Sequence, residues 1–170
     1  MLGFLFRGLT GERSAGAALF EALTGEARQT HWYLEGDVPD TLDGRFAVLA
    51  TLTALALVRL EQNGAEGDRI SVALTERFIE VMESEHRELG LGDPTLGKTV
   101  RKLVGMLARR TELWREALSG GGQWADATRE SLYRHDVSDP ARENSEAALK
   151  EYSGRLDATS LGQLEKGVIA

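Results

Sequence analysis

The sequence predicts an all-α fold, a single-domain bundle of about six helices with no sheet. Three observations carry that expectation. Apolar residues recur at i, i+4 and i+7 along most of the chain, the spacing of one helix face. No stretch alternates apolar and polar residues as a half-buried strand does. Turn signals separate the periodic segments, at Gly36-Asp37-Val38-Pro39, Asn63-Gly64, Gly90-Leu91-Gly92-Asp93-Pro94, Gly120-Gly121-Gly122 and Ser138-Asp139-Pro140.

Residues 1–12 read as a flexible apolar tip: Leu2, Phe4, Leu5, Phe6 and Leu9 are greasy, and Gly8 and Gly11 loosen the chain. Such a tip folds back on the core, or else touches a membrane surface or a partner. Residues 13–158 form the helical domain. Its first helix runs from Ser14 to about Thr30, with Leu19, Phe20, Leu23 and Ala27 on one side, and His31, Trp32 and Tyr33 end it. The second runs from about Thr41 to Gln62. Pro39 pushes Val38 to extended geometry before it, Asp40 or Asp43 supplies the cap, and Asn63-Gly64 stops it.

Within the second helix, Phe46 to Val58 is 13 residues without a charge, closed by Arg45 and Arg59. A helix that is apolar all round must be buried. Thirteen residues reach only about 20 Å, against a hydrocarbon layer of ~30 Å. This is therefore no membrane span but the central core helix, or else one that lends part of its surface to an apolar partner.

The third helix, from about Asp68 to Leu89, carries an apolar stripe of Ile70, Leu74, Phe78, Val81, Met82 and Leu89, with Glu76, Glu80 and Glu83 as an acidic row on the other side. The fourth, from about Thr95 to Ser119, has Leu96, Val100, Leu103, Leu107, Trp114 and Leu118 on one face, and Lys98, Lys102 and Arg109 nearly opposite. A shorter helix from Trp124 to about Arg134 is anchored by Leu132 and Tyr133. The last, roughly Ala141 to Leu156, starts at Ser138 with Pro140 in its first turn and buries Ala148, Leu149, Tyr152 and Leu156. Residues 159–170 read as a weakly ordered tail.

At 170 residues the chain fits one domain. Its formal charge of −7 argues against DNA or any general nucleic-acid affinity. With no cysteine there is no disulfide, thiolate nucleophile or thiolate metal site. The N-terminus lacks the positive lead and long apolar core of a secretory signal, so a cytoplasmic chain is expected, one able to lie against the inner membrane. The charge is uneven. Leu60 to Asp93 holds nine acids and three arginines, whereas Pro94 to Leu118 holds six bases and two acids. The basic helix 94–118 is either a solvated face or a contact for an acidic protein surface, RNA phosphate or lipid headgroups.

Two short motifs imitate chemistry. Gly92 to Thr99, GDPTLGKT, matches the phosphate-loop pattern and would place Lys98 and Thr99 at a nucleotide. A phosphate loop leaves a buried strand, and the element ahead of this one reads as an amphipathic helix. The better reading is a turn made by Gly92 and Pro94, with Gly97 permitting close packing. Glu83-Ser84-Glu85-His86 contains Glu-x-x-His, but a dimetal bundle needs that motif twice, and neither His31 nor His135 repeats it. No serine stands in a nucleophile elbow. Neither a catalytic residue, a metal site nor a cofactor is assigned.

Two ordered blocks carry a more specific signal. Val38-Pro39-Asp40-Thr41-Leu42-Asp43-Gly44-Arg45-Phe46 resembles the signature turn of the ubiquinol–cytochrome c chaperone family. Glu88-Leu89-Gly90-Leu91-Gly92-Asp93, followed by Gly97-Lys98 and the basic pair Arg101-Lys102, resembles its second conserved block. The two anchor about Ala27 to Leu118; the ends match only in helical character. Thr99 and Ala47 depart from the family pattern, where a lysine and an acidic residue are common.

The resemblance implies an all-helical assembly factor without enzymatic activity. Its client would be newly made cytochrome b, on the way into the respiratory cytochrome bc complex. The resemblance also implies contacts with the ribosome or the inner membrane surface and with a small helper protein. The candidates for partner binding are Asp40, Asp43, Arg45, Phe46, Lys98, Arg101, Lys102 and Arg109; Asp40, Asp43 and Arg45 either touch a partner or fix the entry of the second helix by capping and pairing. Two other readings stand beside it: a general helical interaction domain that shares the turn sequences, and a nucleotide-binding protein using the Gly92–Thr99 loop.

Overall fold

Residue Leu52, in the middle of the uncharged run, has no contact with solvent, and neither do Ala50, Ala54 and Leu60. The computed structural model describes the backbone of residues 2–88, 90 and 93–170, and the side chains of residues 15–88, 90, 95 and 97–170. Among these it holds eight helices and no strand: α1 (Leu2–Ala27), α2 (His31–Leu34), α3 (Leu42–Glu61), α4 (Gly64–Glu88), α5 (Asp93–Leu118), α6 (Trp124–Leu132), α7 (Asp139–Ala158) and α8 (Leu161–Glu165). Six are long, as the periodicity predicts, and two are single-turn pieces.

The uncharged run becomes the axis because nothing in it requires water. α3 packs against α1, α4, α5, α6 and α7. Its two mid-helix hydroxyls are satisfied within the helix, Thr51 donating to Ala47 O at 2.7 Å and Thr53 to Leu49 O at 2.8 Å. Arg59 closes the run in a way that periodicity does not reveal. Its guanidinium donates to Leu156 O and Thr159 O, carbonyls at the C-terminal end of α7, at 3.2 and 3.0 Å.

Close approaches set the helix directions. A Cβ on Gly16 would lie 2.4 Å from Ala73 O, and the Phe20 ring meets Phe78 edge-on at 6.4 Å. Residue numbers rise together across that contact, so α1 and α4 run parallel. Phe46 meets Phe78 at 6.0 Å, and a Cβ on Gly67 would lie 1.9 Å from Leu60 O, so α3 and α4 are antiparallel around a tight corner. Arg115 on α5 pairs with Glu61 on α3 at 2.5 Å near their common C-terminal end. One end of the bundle therefore gathers the finish of α1 and α4 and the beginning of α3.

Several elements differ from the sequence expectation. α1 begins at Leu2 rather than Ser14; Gly8 and Gly11 weaken a helix by about 1 kcal/mol each but do not end it. The side chains of the greasy tip lie outside the described residues. Trp32 does not merely end α1: it sits in α2 with no exposure, and its indole donates to Glu26 O at 3.1 Å. The cap of α3 is Thr41, whose hydroxyl accepts from Gly44 N at 3.2 Å, and not Asp40 or Asp43. Three neighbouring residues can all cap, and the extended backbone at Thr41 decides among them. Leu118 is partly exposed rather than core, and Leu89 and Leu96 fall outside the described side chains. After residue 159, where the apolar pattern fades, Ser160 and Gln163 form a reciprocal capping box that starts α8, and Leu164 is buried.

Candidate partner-binding groove

The turn between α2 and α3 is fixed from below. Tyr133, buried on the α6 side, donates its hydroxyl to Gly36 O at 2.5 Å and lies 2.7 Å from Ser145 Oγ on α7. Burial pushes the Tyr133 phenol up, a shift the Ser145 hydrogen bond partly offsets. Asp37 takes a left-handed backbone (φ 53°), which aspartate tolerates better than most residues, and Val38 then plugs into the core. Gly44 lies so close to the turn that a Cβ there would sit 1.8 Å from Pro39 O. The signature stretch is thus a buried corner whose outer face is free to carry side chains.

Those side chains border a groove of about 770 Å³ at the gathered end of the bundle. Its floor is apolar, built from Ala27, Phe46, Leu49, Met82, Leu103 and Met106. Two leucines stand at its rim with their side chains in solvent, Leu34 at 75% and Leu42 at 55% exposure. Exposed apolar groups concentrated at one concavity mark a contact site.

Charged groups surround this floor. Arg45 Nε donates to Asp40 Oδ1 at 2.7 Å, and this bond holds the Asp40 carboxyl below its ordinary range. Asp43 lies 3.7 Å from Arg134, at the end of α6. Arg28, Glu85, His86, Thr99 and Lys102 also belong to the polar lining, and His86 Nδ1 lies 2.7 Å from Met82 O. Tyr33 donates to Ala27 O at 2.6 Å, and burial pushes its phenol up.

Behind the floor, the Arg110 guanidinium lies 5.8 Å from the Phe46 ring centroid and donates to Ser131 O at 2.8 Å. Burial pulls its pKa down to about 10, and nearby Arg134 adds to that effect. The aromatic floor is therefore backed by a cation whose hydrogen bonds go to the carbonyls of Met106 and Ser131 rather than to carboxylates, with its Nε left without a partner.

Of the residues singled out from sequence, the groove gathers Asp40, Asp43, Arg45, Phe46 and Lys102. Lys98 and Arg101 are exposed on the same half of α5 but outside the lining. Arg109 is elsewhere: it turns toward α6, where Nη2 meets Glu130 Oε1 at 2.8 Å. The single basic face drawn through Lys98, Lys102 and Arg109 is therefore divided. Sequence reasoning missed Arg28, Tyr33, Leu34, Leu42, Met106 and Arg134. Leu34 and Leu42 carried the available signal, two large apolar residues flanking an otherwise polar connection.

The phosphate-loop match lacks its structural context. α4 precedes it where a strand would stand, and Leu91 and Gly92, where the loop would begin, lie outside the described residues. Gly97 faces open space and allows no close packing, correcting that expectation. Among the described residues, no three histidine, aspartate or glutamate side chains cluster as metal ligands. None of the described helices is long and apolar enough to cross a membrane.

The comparisons agree with this architecture. The profile of the ubiquinol–cytochrome C chaperone family matches residues 34–166. The fold is similar to the crystal structure of the Cbp3 homolog from Brucella abortus, with a TM-score of 0.81 and 25% sequence identity. That likeness covers 100% of this chain and 96% of the other. Among curated proteins no sequence matches. The family match starts at the exposed Leu34 and takes in the buried corner, most of the groove and the whole of α3 to α7, so this chain belongs to the ubiquinol–cytochrome C chaperone family.

Proposed function

We propose that this chain is a non-enzymatic assembly factor that holds newly made cytochrome b in the groove during biogenesis of the respiratory cytochrome bc complex. The observation that carries this reading is the apolar floor beneath two solvent-exposed leucines. A client built from apolar helices offers few free hydrogen-bonding groups, so a holder needs an apolar surface lined by helices. Asp40, Asp43, Arg45 and Phe46 shape that surface. Lys98 and Arg101, outside it on helix 94–118, orient the loaded chain toward the ribosome or the anionic inner membrane surface.

Photocrosslinkers placed at Leu34, Leu42 and Phe46 test the client site. During cytochrome b synthesis all three should capture it, and a crosslinker at Val72, exposed on α4, should not. Capture from Val72 alone would remove the groove from the reading. Deleting the gene should selectively deplete the cytochrome bc complex. Normal levels of that complex would favour a general interaction domain instead.

A further inference from the structure

We infer that the groove receives the C-terminal end of an apolar helix, an end without flanking lysine or arginine, rather than the length of a membrane span. This deepens the client reading and rests on the groove being the client site. Size comes first. A groove of about 770 Å³ is on the scale of a drug-sized ligand. A span of about 20 residues is roughly 30 Å long and too large to enclose. One or two turns fit.

Charge selects which end. Although the chain carries −7 overall, Arg28, Arg45, Lys102 and Arg134 border the groove, and Lys98 and Arg101 extend the same collar along α5. The lining holds three acids against these four bases: Arg45 pairs with Asp40 and Arg134 with Asp43, so Arg28 and Lys102 supply the collar's unpaired charge against Glu85 on the α4 wall, a net charge of +1. A helix ends in four unpaired carbonyls and about half a negative charge, and begins with four unpaired N–H groups and the opposite charge. The collar attracts the first and repels the second.

The chain already makes this interaction within itself. Arg59 donates to the last carbonyls of α7, and Arg110 donates to Ser131 O at the end of α6. A partner helix seated in the groove repeats that pairing between molecules. The rule that cytoplasmic flanks of membrane helices carry lysine and arginine then has a consequence. The collar rejects those flanks and accepts helix ends destined for the far side of the membrane.

Two fluorescent apolar helical peptides of matched composition test this with the full chain. One ends in two aspartates and a free carboxylate, the other in two lysines and an amide. In anisotropy titrations the acidic peptide should bind at least tenfold more tightly. The preference should shrink as salt is raised and vanish in Arg28→Glu/Lys102→Glu, whereas Lys166→Glu retains it; circular dichroism checks that each variant stays helical.

If both peptides bind equally and Leu42→Asp abolishes both, the end preference is overturned while the groove stands. If Leu42→Asp leaves both untouched, the groove reading falls as well. If neither peptide binds while Leu42 still crosslinks to cytochrome b, only the end preference is overturned.

Discussion

Replacing Gly44 by alanine should destabilise the chain although alanine is the better helix former. A Cβ at this position would stand 1.8 Å from Pro39 O and 2.9 Å from the Pro39 carbonyl carbon. Real Cβ contacts do not fall below 3.0 Å, so the corner has to open by more than an ångström. Both atoms are backbone, and no side chain can rotate out of the way.

Opening the corner strains the Thr41 N–Pro39 O bond at 2.8 Å and the cap bond from Gly44 N to Thr41 at 3.2 Å, each worth about 1 kcal/mol. It also begins to lift Val38, 1% exposed, from the core; half of its burial is about another 1 kcal/mol. The propensity gain of alanine returns about 1 kcal/mol, leaving a net loss of about 2 kcal/mol. For a chain of this length that lowers Tm by roughly 4–8 °C. Gly105→Ala is the control. That glycine lies on α5 with open space around it, so the same chemical change, worth about 1 kcal/mol, should raise Tm by roughly 2–4 °C. Thermal unfolding followed by circular dichroism reads both. An unchanged or raised Tm for Gly44→Ala would refute the argument that backbone contact at this corner fixes the signature turn.

Two further predictions concern polar groups. Tyr133→Phe removes the partner of Gly36 O and Ser145 Oγ in a buried site; urea unfolding should show a loss of about 2 kcal/mol, and an unshifted midpoint would mean that the link between α6, α7 and the turn carries no load. The second concerns acid. Glu146 is held below its ordinary pKa mainly by Lys150, with Arg142 adding to the effect, and Glu61 is held low by Arg115. A pKa lower in the folded than in the unfolded state gives stability that is present above the ordinary carboxylate value of about 4.3. That stability is lost as pH falls through the folded value. Tm should therefore drop as pH falls from about 4.3, and Glu146→Gln should make that drop shallower; an equally steep drop in the variant would rule Glu146 out.

Helical periodicity made the bundle legible, and the uncharged run identified its axis, because apolar spacing is a local property of the chain. Long-range polar contacts have no such local trace. Arg59 looked like the charged boundary of an apolar run, yet its guanidinium is committed to carbonyls about a hundred residues away. Lys102 and Arg109 share a face by angle, but seven residues along a helix is about 10 Å, enough for one to reach the groove and the other to reach Glu130. The signature turn is legible as a motif, but its three adjacent capping candidates are not resolved by sequence, and the cap is Thr41. Ser160-Leu161-Gly162-Gln163 carried a readable capping signature that the weak apolar pattern around it concealed. The groove belongs to no single segment. Segments far apart in sequence create it, and the motif residues Asp40, Asp43, Arg45, Phe46 and Lys102 mark part of its lining without revealing its shape.

The position of α3 at the centre also orders the molecule in time. Amide protons exchange with solvent by local fraying where the backbone lies near an end or a surface, and only by global unfolding where every opening would expose core. α3 is enclosed by five other helices and buried along nearly its whole length, so the amides between Val48 and Val58 should be the slowest to exchange. The groove joins that axis to backbone of the other kind: Phe46 and Leu49 of α3 belong to its floor, and the last turns of α1 and α4 and the short α2 border it. The chain thus seats its receptive surface partly on an axis that does not yield until the whole fold does, and partly on helix ends that fray first.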